Sequence, residues 1–195
     1  MHLLLVVSPS ENGRLFSRKG SVLRGELITV DNLQKFIPAT SSAKSSKIIQ
    51  KIKTSPKRQE ILDYMQELFN QYGSTDQIMQ EHHWIKQEYI KNGLFPFLQC
   101  PPMKKDLLID ENNLSTIIGH VGSHKETYNS KIYNFLNNLS DDLIEMYDIE
   151  DLSFIKSEEA IDYLNTSIIN YIDNLKQEVM LHNEIMNNRK LIVLN

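Results

Sequence analysis

Residues 157–181, SEEAIDYLNTSIINYIDNLKQEVML, decide the fold class. Ile161, Leu164, Ile168, Ile172, Leu175 and Val179 recur at three- and four-residue steps and therefore line one face of a helix. Ser157 stands at its head as an N-cap, with Glu158 and Glu159 placed where carboxylates offset the helix dipole. The last 73 residues, from Ser123 onward, contain neither glycine nor proline. With the strongest helix breakers missing, that stretch reads as nearly all helix.

The same periodicity continues upstream. Ser123 and Glu126 form a capping box ahead of a helix that buries Tyr128, Ile132, Phe135, Leu136 and Leu139. Ser55 as N-cap and Pro56 at the first helical position open a helix over Ile61, Leu62, Met65, Leu68, Phe69 and Tyr72, which Gly73 ends. Ser74 to Gln77 reads as a capping box for a further helix, with Ile78, His82, Ile85 and Tyr89 on its apolar face and Gly93 as its stop. A short helix is expected from Glu111 to Ile118. Leu94 to Pro102 is an apolar connector that its prolines keep out of regular helix.

The first third differs. Leu3–Val7 and Val22–Val30 are rich in branched apolar residues between turn formers and read as a strand pair. Leu191–Leu194 is a third strand, expected to pair with Leu3–Val7. Thr40 to Ser46 is small and polar and reads as a linker. The expected architecture is mainly α: a helical bundle of five to six helices with a small N-terminal strand element, joined by a C-terminal strand. Residues 1–43 form the strand and loop element and 44–195 the helical domain, together one compact unit.

A chain of 195 residues buries a core without staples, and its one cysteine, Cys100, forms no internal bridge. The cytoplasm is the default compartment for such a composition, with non-classical secretion as an effector the alternative. The apolar start, Met1 to Val7, lacks a basic n-region and is short for a signal peptide, and no run approaches the roughly 18 apolar residues of a membrane span.

Charge is divided unevenly. Residues 1–60 hold 11 Lys/Arg against 4 Asp/Glu, whereas 61–195 hold 10 against 21. Lys44, Lys47, Lys51, Lys53, Lys57 and Arg58 form a basic segment suited to nucleic-acid phosphates. That segment lacks stacking aromatics, and Ile48, Ile49 and Ile52 give it the look of a helix with a solvated basic face. Asp141, Asp142, Glu145, Asp148, Glu150 and Asp151 form an acidic strip suited to a basic partner.

Histidines supply the remaining candidate chemistry. His82, His83, His120, His124 and His182, with Glu81 and Glu126, are zinc-ligand types, but there is no HExxH and no paired CxxC. His120 and His124 straddle Gly122 and a helix start, so their spacing does not place them on one face. The expectation is therefore no metal and no cofactor. Cys100 reads as a buried, inert thiol. GxSxG, GxxxxGK[ST] and GxGxxG are all missing, and Gly119 with Gly122 is too sparse to cradle phosphates.

Trp84 and Glu88 make a WxxxE pattern. In this the chain resembles a family of short bacterial effectors that act like guanine-nucleotide exchange factors for Rho-type GTPases. The resemblance implies a helical bundle braced by Trp84 and Glu88, a Rho-family partner, and an exchange loop at Gly119, His120, Val121 and Gly122. The residues themselves, with amphipathic helices and no catalytic constellation, point to a non-enzymatic interaction or regulatory protein acting through helical, charge-polarised surfaces on a protein partner. The exchange factor is the alternative, and nucleic-acid binding through residues 44–58 the second. The final helix suits packing at home or on a second copy of the chain.

Overall fold

A computed structural model of the chain describes residues 25–38, 42–100, 103–104, 107–108, 112–120, 122, 124–182 and 189–194. Among these, five α-helices surround a three-stranded antiparallel sheet. The helices are α1 (Ser42–Thr54), α2 (Arg58–Tyr72), α3 (Gln87–Lys91), α4 (Glu126–Tyr147) and α5 (Glu158–Leu181). The strands are β1 (Met79–His83), β2 (Leu114–Ile118) and β3 (Ile192–Leu194).

β2 is the central strand. It pairs with β1 from Met79↔Ile118 to His83↔Leu114, and with β3 from Thr116↔Leu194 to Ile118↔Ile192. Because side chains alternate along a strand, Ile118 and Leu194 face one way while Ile117 and Val193 face the other. Two apolar cores result. One gathers Leu33, Phe36, Ile52, Met65 and Phe69 against Met79, Ile118 and Leu194. The other gathers Trp84, Ile117 and Val193 with Tyr128, Ile132, Leu136, Leu164, Ile168 and Ile172 of the two long helices. α4 and α5 are further joined by the Phe135–Tyr171 ring stack at 3.8 Å and the Lys131–Glu178 ion pair at 2.6 Å.

The start of α5 and the end of α2 behave as their sequences dictate, whereas α4 begins at Glu126 after Lys125 with no side-chain cap, and Ser123 of the expected capping box lies outside the described residues. Ser157 Oγ accepts the Ala160 amide at the start of α5. Gly73 closes α2 in the left-handed region at φ 68°, a conformation that glycine adopts without steric penalty. α2 itself starts at Arg58, not at Pro56: Ser55 and Pro56 form the preceding turn, and Ser55 Oγ accepts the Lys57 amide. α1 begins within the serine-rich stretch, at Ser42.

Three expectations are corrected. The helix expected after Ser74 is instead β1 followed by a bend and the short α3, and the helix expected from Glu111 to Ile118 is β2. In both cases pairing decides. The β-branched Thr116, Ile117 and Ile118 suit a strand, and five registered residues of β2 draw Met79–His83 into a ladder against its local helical spacing. Residues 26–29 of the expected Val22–Val30 strand run without strand pairing. The C-terminal strand exists and lies on β2, while Leu3–Val7, its expected partner, is outside the described residues.

Candidate metal centre

β1 places His82 opposite Ser115 of β2, and Trp84, just past the end of the strand, packs against the His82 ring. Trp84 Nε1 donates to Ser115 Oγ at 2.9 Å. The bend that follows β1 is held by the wholly buried Asn113. Its Oδ1 accepts the Ile85 amide at 2.6 Å, and its Nδ2 donates to the Ile85 and Leu107 carbonyls. Backbone groups that leave the ladder are thus satisfied, which burial requires.

At the far end of β2 the chain turns at Gly119, φ 85°. A Cβ there would collide with the Lys190 carbonyl and stand 2.7 Å from the Tyr64 hydroxyl, so only glycine fits. This turn delivers His120. A second left-handed glycine, Gly122, precedes His124, which sits just ahead of α4, and Tyr128 follows in the first turn of that helix.

The three histidines converge. His124 Nε2 lies 3.1 Å from His82 Nδ1 and 3.3 Å from His120 Nε2. One potential ligand nitrogen from each ring lies within 4.8 Å of the other two. His82 and His120 are buried, and His124 is half-buried. The other nitrogen of His82, Nε2, lies 2.8 Å from the Tyr128 hydroxyl, which in turn donates to the Trp84 carbonyl at 3.3 Å.

These distances fit a cation. With Zn–N bonds of about 2.0–2.1 Å, adjacent ligands of a tetrahedron stand roughly 3.3 Å apart. Hydrogen bonding satisfies the cluster poorly, because a ring nitrogen offers either one N–H or one in-plane lone pair. At best, a single proton on His124 Nε2 is shared between two acceptors. His120 Nδ1, buried without a hydrogen-bond partner among the described residues, is a second sign of imperfect satisfaction.

Burial also sets the protonation state. Desolvation lowers His120 and His124 to about 4, and holds His82 well below the usual histidine value. Mutual repulsion among the three rings adds to the effect on His82. All three are therefore neutral near pH 7, the form that ligates metals. Tyr128 is driven the other way, its hydroxyl held protonated by the same burial.

The remaining candidate residues are scattered. His83 stands apart from the cluster, in contact with Gln87 and the Leu108 carbonyl. His182 caps α5, Glu81 pairs with Lys44 at 2.8 Å, and Glu126 is exposed. Lys44, Lys47 and Lys53 lie exposed on α1 and Lys51 is half-buried there, whereas Lys57 and Arg58 belong to the turn and start of α2. Asp141, Glu145, Asp148 and Glu150 are exposed near the end of α4. Asp142 accepts from the Tyr163 hydroxyl, and Asp151 accepts from Ser153. Cys100 is buried, with Sγ 3.5 Å from the Ser153 carbonyl.

Trp84 and Glu88 do not share a helix: Trp84 is buried in the bend after β1, and Glu88 is exposed on α3. Of the expected exchange loop, Gly119, His120 and Gly122 are described, with His120 turned into the histidine cluster, while Val121 lies outside the described residues. With Met79–His83 a strand and not a helix, His82 comes together with His120 and His124, although their sequence spacing carries no ligand pattern. Tyr128 and Asn113 join the site only through the tertiary structure, and no pattern in the sequence marks them. Compared with protein-family models, curated proteins and solved structures, the chain matches none of them.

Proposed function

We propose that this protein binds one divalent transition-metal ion through His82, His120 and His124. The supporting observation is the approach of three neutral ring nitrogens at 3.1 and 3.3 Å in a largely buried setting. Imidazole suits zinc, copper, nickel and iron, and zinc is the ion tested first because its tetrahedral edge of roughly 3.3 Å is close to both distances. The ligands come from β1, the end of β2 and the segment leading into α4, so a bound ion ties the sheet to the long helices.

The test is a titration of chelator-treated protein with zinc and, separately, cobalt(II). One equivalent should bind, with cobalt giving the intense visible absorption of a tetrahedral site, and His124→Ala should abolish both. Wild-type protein that binds neither ion would overturn the proposal.

A second reading keeps the protein-interaction role. It is favoured by exposed Ile144, Met146 and Phe154 interleaved with Glu145, Asp148, Glu150 and Asp151. Apolar side chains among carboxylates suit a basic amphipathic helix. Salt-sensitive binding of such a peptide, weakened by Phe154→Ala, is the expected result; no binding at low salt would remove it.

A further inference from the structure

We infer that Tyr128 is a positioning residue for the histidine centre, fixing His82 as its Nε2–H tautomer so that the Nδ1 lone pair faces His120 and His124. The tautomer part stands on the metal-free geometry, and the metal part rests on the metal-binding proposal above.

A chain of contacts carries the inference. The Trp84 carbonyl can only accept, and the donor it receives within the buried core is the Tyr128 hydroxyl at 3.3 Å. That hydroxyl has one proton. We assign the proton to the Trp84 carbonyl and not to His82 Nε2; the phenol oxygen is then an acceptor toward Nε2, 2.8 Å away, and Nε2 carries the hydrogen. A neutral imidazole with Nε2–H has its lone pair on Nδ1. Nδ1 is the atom that lies 3.1 Å from His124 Nε2.

Orientation is fixed along with the tautomer. Trp84, anchored by its indole N–H on Ser115, packs edge-on against His82 with ring centroids 4.7 Å apart. Tyr128 also packs against the ring, at 5.7 Å between centroids. The arrangement matches the general design of histidine ligands, whose second nitrogen is held by an outer partner; losing such a partner costs about 10–100-fold in metal affinity. The side chain of Tyr128 is fully buried, so the outer partner is not exchanged with water.

The experiment is two-dimensional nitrogen-15 NMR of the histidine rings in metal-free wild-type and Tyr128→Phe protein, followed by zinc titration of both. Tyr128→Phe keeps the ring and its packing. Wild type should show a His82 signal pattern of protonated Nε2 and bare Nδ1, and the variant a shift toward the other tautomer with zinc affinity lower by about 10–100-fold. A bare Nε2 in wild type overturns the inference and needs no variant to do so. Equal zinc affinity in the two proteins overturns its metal part. If wild type binds no zinc while His82 still shows protonated Nε2, the metal-binding proposal fails and the tautomer assignment stands.

Discussion

His82 and His124 contribute ligand atoms to one centre, yet they differ in what else they support. His82 is buried and bonds Tyr128, whereas His124 is half-buried. His82→Ala is expected to lose metal binding and to destabilise the fold by roughly 2–4 kcal/mol, through a cavity and the lost hydrogen bond to Tyr128. His124→Ala should lose metal binding with a stability change under about 1 kcal/mol. Denaturant unfolding of the metal-free proteins separates the two; equal destabilisation would show that burial is not what distinguishes them. Residue identity alone could not have ranked these positions, because all the histidines look alike until the sheet orders them.

The connection from β2 into α4 depends on its glycine at the level of the element. Gly119 combines φ 85° with a close approach to the Lys190 carbonyl, and its amide donates to the Ile78 carbonyl at 2.8 Å. Gly119→Ala is expected to destabilise by about 2–4 kcal/mol and to weaken metal binding, since it displaces His120. Thermal unfolding and zinc titration of the variant check both effects. Gly122, with open space around its Cβ position, should tolerate alanine better despite its positive φ. At α5, Ser157→Ala removes the side-chain acceptor for the Ala160 amide and should cost about 1 kcal/mol, read as a lower denaturant midpoint.

Acid and metal act on the molecule as a whole. His120 and His124 titrate at about 4 when folded, against 6.5 when solvated, and burial lowers His82 in the same direction. The unfolded chain therefore binds more protons between these limits. Stability is complete above about pH 6.5 and falls as the pH drops toward about 4. Unfolding midpoints followed from pH 7.5 to 4.5 should decline over that window, and His82→Gln combined with His120→Gln should flatten the decline. Because the rings are already neutral, zinc binding at pH 7 should release almost no protons, which calorimetry in buffers of different ionisation enthalpy reads directly. Zinc at a hundredfold excess over its Kd should add about 2.7 kcal/mol, or roughly 5–10 °C in Tm for a chain of this length.

The long helices were legible in the sequence because each carries its own evidence. Leu164, Ile168, Ile172, Leu175 and Val179 recur at helical spacing and are all buried, Ser157 caps them, and Gly73 ends α2 as expected. The burial of Cys100, expected from its apolar surroundings, is found as well. The sheet was not. Whether Met79–His83 forms a strand depends on Leu114–Ile118, some thirty residues away, and an apolar spacing that also fits a helix face cannot report that partner. The histidine centre inherits this dependence: strand pairing sets which way His82 points, a glycine turn sets His120, and the helix entry sets His124. Sequence determined the elements that periodicity and capping define within themselves. Tertiary structure decided the sheet and the site, because side-chain direction in a strand is fixed only by long-range register.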